Sequence, residues 1–221
     1  MKVCTDSCLF GAWVAKKIER KEYTQKKVLD IGTGTGVLSL MLAQKSSAHI
    51  DAVEINVNAY TQALENFTES RWNQTLQVFH ADIKNWKAPH KYDLIISNPP
   101  FYENDLLPED EQKSISKHNH ALSLEDLLLS VQNLLNDEGS FAVLLPFSRA
   151  KWFERKALAY SFYSKECAEV KPSTNHNFFR VMFMFQKQNT ICAQETISIK
   201  YENNNYTNEF VELMKDYYLH L

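Results

Sequence analysis

The sequence predicts an α/β fold built on an open, doubly wound, mostly parallel sheet of seven strands with helices on both faces. Three observations predict it. Over the first 150 residues, short apolar strands alternate with helices, which indicates parallel strands joined by crossover helices. Three of the five glycines (Gly32, Gly34 and Gly36) fall within five consecutive residues at the end of the first such strand. Acidic residues end the next strands, and doubly wound sheets bind ligands at that edge.

Short apolar segments give the strands of the first half, and a helix follows each of the first two. Apolar residues at 37, 38, 40, 41 and 42 predict a helix over 37–44 after the glycines. Asn56 is placed to cap a helix that runs to about residue 70, because its side chain accepts hydrogen bonds from free N–H groups. The predicted strands of this half are 27–31, 50–55, 76–80 and 93–97.

A long polar stretch over 98–122 interrupts this alternation, and loops of that length are usually functional. Ser123 then begins a helix over 123–136, because S-L-E-D resembles a capping box and leucines follow at helical spacing. We expect Gly139 to act as an ordinary helix stop. The remaining predicted elements are strands at 141–145, 163–169 and 179–185, a helix at 149–160, and a C-terminal strand and helix at 196–201 and 208–218.

Composition excludes several classes of protein. With 44% apolar and 12% aromatic residues, the 221-residue chain can fill a core, so collagen-like, low-complexity and disulfide-stapled classes are excluded. No eighteen-residue apolar run and no signal peptide are encoded, so we expect a cytoplasmic protein with no membrane partner. We expect one domain over 1–221, divided into an N-terminal segment (1–25), a core (26–190) and a strand–helix extension (191–221). No obligate protein partner is implied, so we expect a monomer with reduced cysteines.

The glycine loop at 30–36, D-I-G-T-G-T-G, favours a methyl-donor site over a dinucleotide site. Its spacing is G-x-G-x-G, and Asp30 would repel a pyrophosphate but suits a cationic amino-acid group. Glu54 ends the second strand, where a carboxylate can accept both ribose hydroxyls, and Asp82 is placed to read an adenine amino group. S-adenosylmethionine carries these groups and no phosphate. The expected cofactor-binding residues are Asp30, Gly32, Gly34, Gly36, Glu54, Ile55, Asp82, Ile83 and Asn98.

The fourth strand runs into Asn98-Pro99-Pro100-Phe101, for which two interpretations remain open. In one, the two prolines stop the strand and the aromatic residue packs. In the other, the Asn98 side-chain oxygen and the Pro99 carbonyl each accept a hydrogen from a planar exocyclic amine. Phe101 then stacks on the ring that carries the amine, which contributes about 1–3 kcal/mol by analogy with base–aromatic stacking. The second interpretation predicts these four residues as catalytic.

These motifs together resemble the class I S-adenosylmethionine-dependent N-methyltransferases. The resemblance rests on the glycine loop, A-V-E at 52–54, A-D-I at 81–83 and N-P-P-F at 98–101. It implies a Rossmann-like class I methyltransferase fold with S-adenosyl-L-methionine as cofactor and S-adenosyl-L-homocysteine as product.

A closer resemblance is to the bacterial tRNA1(Val) adenine N6-methyltransferase family. It rests on M-K-V-C-T-D-S at 1–7, L-F-G-A-W at 9–13, S-K-H at 116–118 and F-F-R-V at 178–181. The resemblance implies that tRNA is the partner and that adenine 37, beside the anticodon, is methylated. It also implies that Lys2, Thr5 and Asp6 lie in a segment that closes over the methyl donor.

This chain departs from that family pattern in two ways. Cys4 and Ser7 stand where the signature has glycines, so we expect a slightly different backbone there. Family members usually carry a further segment before K-V, so we expect either an atypical start or a missing RNA-contacting piece. Two rivals are a protein glutamine N5-methyltransferase, usually with tyrosine after the prolines and a helical domain in front, and an rRNA guanine N2-methyltransferase, usually with a duplicated domain.

Basic residues supply the candidates for RNA contact. A cluster at 149–156 with Trp152 inside it is either a solvated helix face or a phosphate-contacting patch. Arg180 lies in an apolar strand, so it is either an ion-pair partner or a phosphate contact. His118 and His120 lack a third ligand in register, so we expect no metal site and retain His118 as a substrate contact. The candidates are His118, Arg149, Lys151, Arg155, Lys156 and Arg180.

Overall fold

A computed structural model describes residues 4–19, 26–100 and 122–220 of the chain. The strands are β1 (Lys27–Ile31), β2 (His49–Glu54), β3 (Leu76–His80), β4 (Tyr92–Ser97), β5 (Leu135–Pro146), β6 (Tyr163–Ser173), β7 (Arg180–Gln186) and β8 (Ala193–Lys200). The helices are α1 (Thr5–Ile18), α2 (Val37–Ala43), α3 (Val57–Glu69), α4 (Leu124–Leu134), α5 (Ala150–Ala159) and α6 (Asn208–Met214), and Phe147–Arg149 form a 3₁₀ turn.

The described strands form one sheet in the order β3-β2-β1-β4-β5-β7-β6-β8. The first five strands of this order, from β3 to β5, run parallel to one another. The strand order reverses between β1 and β4, so the predicted doubly wound topology is confirmed. β7 is antiparallel to both of its neighbours. The ligand-binding position of such a sheet is therefore the carboxyl edge between β1 and β4.

The sheet has eight strands among the described residues rather than the predicted seven. The additional strand is β8, which was expected in a C-terminal extension and instead pairs in parallel with β6. Without it, β6 would present a long row of unpaired N–H and C=O groups at the sheet edge. The extension therefore completes the sheet.

Helices cover both faces of the sheet because successive strand residues point to opposite sides. In β1, Val28 packs in the cluster beneath α1, α2, α3 and α6, whereas Leu29 packs in the cluster beneath α4 and α5. In β5, Ala142 belongs to the first cluster and Phe141 to the second. The two clusters hold the central strands rigidly, and with them the side chains at the strand ends.

Two helix starts agree with their sequence signals. The Asn56 side chain accepts hydrogen bonds from the backbone N–H groups of Asn58 and Ala59 at the start of α3. Ser123 and Asp126 form a capping box at the start of α4. Both starts are therefore confirmed.

The prediction for Gly139 is wrong. α4 ends at Leu134, and β5 begins at Leu135, so Gly139 lies inside a strand and not at a helix end. The pairing of β4 with β5 shifts register between Leu135 and Ser140. A Cβ at Gly139 would lie 2.8 Å from the Leu135 Cδ1 atom, so the glycine allows the chain to fold back closely at this bulge.

The N-terminal helix α1 was not predicted. Ten of its 14 residues are buried, and the buried positions lie on all sides of the helix. For this reason no amphipathic stripe marks the helix in the sequence. Its polar atoms are paired: the Trp13 indole donates to Glu195 over 2.7 Å, and Lys17 is bonded to Glu166. Within the described ranges, no helix is long and apolar enough to cross a membrane.

Candidate active site

A cavity of about 1040 Å³ lies at the carboxyl ends of the central strands. The predicted site residues that line it are Asp6, Gly32, Gly34, Glu54, Ile55, Asp82, Ile83, Asn98, Pro99, Pro100 and Arg180. Those that are described but do not line it are Thr5, Asp30, Gly36, Arg149, Lys151, Arg155 and Lys156. Lys2, Phe101 and His118 lie outside the described residues.

The glycine loop forms the floor of the cavity. The backbone N–H of Gly32 donates to the carbonyl of Val53 over 2.9 Å, which folds the loop against the end of β2. Gly32 has a φ of +70°, and a Cβ there would meet nothing within 4 Å, so its backbone faces open space. A Cβ at Gly36 would lie 2.5 Å from Phe67, so Gly36 serves packing at the start of α2. Of the two glycines, only Gly32 leaves room for a ligand to approach its backbone.

Glu54 ends β2 with both carboxylate oxygens already bonded to the backbone. Oε2 accepts from the N–H of Gly34 over 2.9 Å, and Oε1 accepts from the N–H of Asn56 over 2.8 Å. Each oxygen keeps a further lone pair, because a carboxylate offers about four acceptor positions. The side chain is thus fixed in direction before any ligand arrives, and it can still accept a pair of hydroxyls.

Asp82 stands beside Glu54 because the N–H of Ala81 donates to the Glu54 carbonyl over 3.0 Å. Its Oδ1 accepts from the N–H of Lys84 over 3.0 Å. Ile55 and Ile83 provide the apolar lining next to these carboxylates. Two acceptors and two aliphatic side chains match a flat, partly polar ring with an attached sugar.

Asp30 lies beneath the glycine loop and is fully buried. Its Oδ2 accepts hydrogen bonds from the hydroxyls of Thr33 and Ser39, at 2.6 and 2.7 Å, while Oδ1 has no partner among the described residues. Burial is the largest cause that raises the pKa of Asp30 to about 6. Because Asp30 does not line the cavity, its contact with a methyl donor stays a prediction, and its charge would act through the loop.

The charges of the residues that line the cavity fit a ligand without phosphate. Among the described lining residues, Arg180 is the only basic one, and its Nε donates to Asp6 Oδ2 over 2.8 Å. Of the two interpretations of Arg180, the ion pair is therefore present in the structure. Acidic side chains and a glycine-lined floor suit the ribose, the adenine amine and the cationic groups of S-adenosylmethionine.

Asn98 directly follows β4, and its side chain has one partnered and one unpartnered end. Nδ2 donates to the hydroxyl oxygen of Ser7 over 2.7 Å, whereas Oδ1 is buried without a partner among the described residues. The Ser97 hydroxyl donates to the Ile31 carbonyl over 2.9 Å, which ties the end of β4 to β1. A buried acceptor left unsatisfied costs about 1–3 kcal/mol, so Oδ1 is suited to a ligand donor.

The first turn of α1 forms a wall of the cavity, which sequence reasoning found only in part. Asp6 was expected there, but Ser7 and Cys4 also line the cavity. A serine in the first turn of a helix carries no signal of a distant partner. Thr5, by contrast, lies outside the lining.

Polar residues on the first turns of α3 also line the cavity and were not predicted. They are Asn58 and Gln62, with Ala59 between them. Their helical spacing after the Asn56 cap was the available signal, since both side chains share one face. No group of three or more His, Cys, Asp or Glu residues that could hold a metal occurs in the part of the chain that is described.

The basic cluster follows the carboxyl end of β5 and divides into two pairs. Arg149 and Lys156 lie over the Trp152 ring, at 5.7 and 5.5 Å from its centroid, and Lys156 also bonds to Glu125 over 2.7 Å. Lys151 and Arg155 are exposed on α5. Lys151 and Arg155 are therefore accessible to solvent and to phosphate groups.

Comparison with known proteins gives close relatives. Residues 12–144 match the model of the methyltransferase small domain. The tRNA1(Val) (adenine(37)-N6)-methyltransferase of Trichodesmium erythraeum is 39% identical over 224 residues, covering 99% of this chain and 91% of that protein. The protein of the same name from Christiangramia forsetii is 39% identical over 232 residues, covering 100% and 92%.

Solved structures share the fold at low identity. A predicted O-methyltransferase from Agrobacterium tumefaciens has a TM-score of 0.67 at 13% identity and covers 96% of each chain. A glycopeptide N-methyltransferase in complex with S-adenosyl-L-methionine has a TM-score of 0.60 at 11% identity, covering 81% of this chain and 88% of that one. The class of fold expected from the strand–helix alternation is thus confirmed.

Proposed function

Because the chain belongs to the tRNA1(Val) (adenine(37)-N6)-methyltransferase family, we propose that it methylates N6 of adenine 37 in a valine tRNA, in the cytoplasm. The methyl donor is S-adenosylmethionine. The observation that supports the chemistry best is the Asn98 side-chain oxygen, which is buried beside the cavity without a partner among the described residues.

The cofactor side of the cavity is the wall that carries Glu54 and Asp82. Glu54 would accept the two ribose hydroxyls, since its backbone contacts leave a lone pair on each oxygen. Asp82 would accept from the adenine amine, with Ile55 and Ile83 against the ring. When bound, S-adenosylmethionine supplies a methyl carbon that is activated by the adjacent sulfonium charge.

The catalytic side is the wall at the end of β4. Asn98 Oδ1 and the Pro99 carbonyl would accept the two hydrogens of the N6 amine, which draws its lone pair out of conjugation with the ring. Positioning and electrostatics then carry the displacement, so no strong general base is required. The predicted stacking role of Phe101 belongs to the same proposal.

An aromatic and basic surface at the ends of β5 and β7 supports an RNA substrate. The rings of Phe147 and Phe178 are 5.0 Å apart, and Lys171 Nζ lies 4.9 Å from the Phe178 ring. The N–H of Phe147 donates to the Phe179 carbonyl over 3.1 Å, next to the cavity residue Arg180. Rings beside cations suit unpaired loop nucleotides.

This surface lies across β4 from the cofactor side, because β5 and β7 follow β4 in the sheet order while β2 and β3 lie on the other side of β1. An adenine entering from the RNA surface would meet Asn98 before it met Glu54. Turning a loop base out of its stack costs a few kcal/mol, which stacking contacts can offset.

The test uses purified protein, S-adenosylmethionine and transcripts of the valine tRNA with adenine or guanine at position 37. We expect N6-methyladenosine in nucleoside digests of the first transcript only, measured by mass spectrometry. The Asn98→Ala variant is the matched negative control. N6-methyladenosine in both transcripts would place the target elsewhere, and its absence from both would leave the glutamine-methylating rival favoured.

A further inference from the structure

The Asn98 amide works only in one of its two orientations. A rotation of about 180° around the last side-chain bond exchanges its oxygen with its NH₂ group at almost no change in shape. With the oxygen toward the cavity, the side chain accepts a hydrogen from a substrate amine. With the NH₂ group toward the cavity, two donors face each other and the amine is repelled.

In the structure, the Ser7 hydroxyl is the group that contacts the Asn98 amide. Nδ2 donates to the Ser7 hydroxyl over 2.7 Å, and Oδ1 is the end without a partner among the described residues. Ser7 lies in the first turn of α1, 91 residues from Asn98 in sequence, and both residues line the cavity. The contact therefore joins the N-terminal wall to the catalytic wall.

Ser7 is itself held in place from two directions. Its backbone N–H donates to Asp6 Oδ1 over 3.0 Å, and Asp6 Oδ2 accepts from Arg180 over 2.8 Å. The rest of α1 is buried in the core, so the helix start has a rigid support. Arg180, Asp6, Ser7 and Asn98 thus form one continuous chain of contacts from β7 to β4.

We infer that Ser7 is a positioning residue: its hydroxyl oxygen accepts from Asn98 Nδ2, which anchors the side chain to α1 and leaves Oδ1 as the open acceptor. This inference rests on the proposed amine-methylating function of Asn98. It assigns a purpose to a serine that stands where the related signature has glycine, a residue without a side chain to make this contact.

The experiment compares Ser7→Ala and Ser7→Thr with Ser130→Ala as the matched control. The Ser130 hydroxyl donates to the backbone carbonyl of Asp126 within α4. The control therefore also removes a hydrogen-bonded serine hydroxyl, but at another place in the fold. We expect Ser7→Ala to lower kcat about tenfold, the size of one lost hydrogen bond to a positioned group. KM for tRNA and Kd for the cofactor stay within about twofold, and Ser7→Thr restores most of kcat.

A second readout needs no cofactor and no activity. The side-chain amide signals of Asn98 are identified by their absence from the ¹⁵N–¹H NMR spectrum of Asn98→Ala. We expect these signals to shift and to exchange faster with solvent in Ser7→Ala, but not in Ser130→Ala. This readout separates the positioning role from the proposed function, because the shift is expected whichever amine is methylated.

Two outcomes overturn the inference. One is an unshifted Asn98 amide in Ser7→Ala, which shows that the serine does not hold it. The other is a kcat equal to that of the wild type in Ser7→Ala, which shows that the contact does not matter for transfer. If the wild-type protein fails to methylate tRNA but the amide signals shift as expected, the proposed substrate is wrong and the contact stands.

Discussion

The two sides of the cavity treat their polar groups differently. On the cofactor side, both carboxylate oxygens of Glu54 are bonded to backbone N–H groups. On the catalytic side, Asn98 Oδ1 is buried with no partner among the described residues. An acceptor that only holds a ligand can be fixed by the backbone beforehand. An acceptor that must take a hydrogen from the reacting amine has to stay open, at a cost of about 1–3 kcal/mol in the absence of the substrate.

The largest effect expected from this comparison is on the rate. Asn98→Ala removes the open acceptor, and we expect kcat to fall by at least about 10²–10³-fold, as when a positioned polar group is lost from an active site. The Kd for S-adenosylmethionine, measured by calorimetry, stays within a few-fold. Asn205→Ala, an exposed asparagine in the turn before α6, serves as control. A near-wild-type rate in Asn98→Ala would remove the catalytic side of the comparison.

The next effect concerns Asp30, the other buried acceptor without a complete set of partners. Its pKa is raised from 3.8 to about 6 in the folded protein, so the folded state binds this proton more tightly than the unfolded state. The resulting stabilisation is fully present below pH 3.8 and is lost as the pH rises through about 6. At about 1.4 kcal/mol per unit of pKa, the loss is about 3 kcal/mol.

The measurement is urea unfolding of wild type and Asp30→Asn between pH 4 and pH 7. We expect the stability of the wild type to decline relative to the variant over this interval, because asparagine has no proton to lose. A difference that stays constant with pH would mean that Asp30 is charged in the folded protein throughout. That result would contradict the raised pKa of Asp30 and the stability cost that we assign to its burial.

A smaller effect is expected at Glu54. Glu54→Ala removes a charged acceptor from the cofactor side, and we expect the affinity for S-adenosylmethionine to fall about 10–100-fold, since hydrogen bonds to charged groups contribute about 1.5–3 kcal/mol. At saturating cofactor, kcat stays near that of the wild type. Glu69→Ala, an exposed glutamate at the end of α3, is the matched control. A loss of kcat with unchanged affinity would show that the two sides do not act separately.

The sheet and the cofactor side could be predicted because their signals are local in sequence. Each strand is a short apolar segment, and the residue at its end is carried to one edge by the parallel arrangement. Glu54, Asp82 and Asn98 all follow from this rule, and all three line the cavity. Asp30 shows its limit, because the rule gives the strand end but not the depth at which the side chain is buried.

The partners of Asn98 on the catalytic side were less predictable than Asn98 itself, because their contacts join distant parts of the chain. Asp6 and Arg180 are 174 residues apart, and only the fold brings α1 against β7. The helix itself gave no amphipathic signal, since it is buried on almost every side. Ser7 was visible only as a departure from a glycine, with nothing in the sequence to connect it to Asn98.

The smallest expected effect tests whether the catalytic side continues into an RNA-binding surface. Lys151 and Arg155 are exposed on α5, beyond the carboxyl end of β5, whereas Arg149 and Lys156 lie over Trp152. If both exposed residues contact phosphates, replacing them with alanine lowers the slope of log Kd against log salt by about 1.4, at about 0.7 per contact with a single strand.

The control is a double alanine variant of Lys27 and Lys91, two exposed lysines at the amino ends of β1 and β4 and hence at the opposite edge of the sheet. It removes the same charge, so a general change in net charge would alter both slopes equally. A lower slope in the α5 variant alone assigns that helix to the RNA surface. Equal slopes in all three proteins would make Lys151 and Arg155 a solvated helix face, and the RNA surface would then be confined to the residues around Phe147 and Phe178.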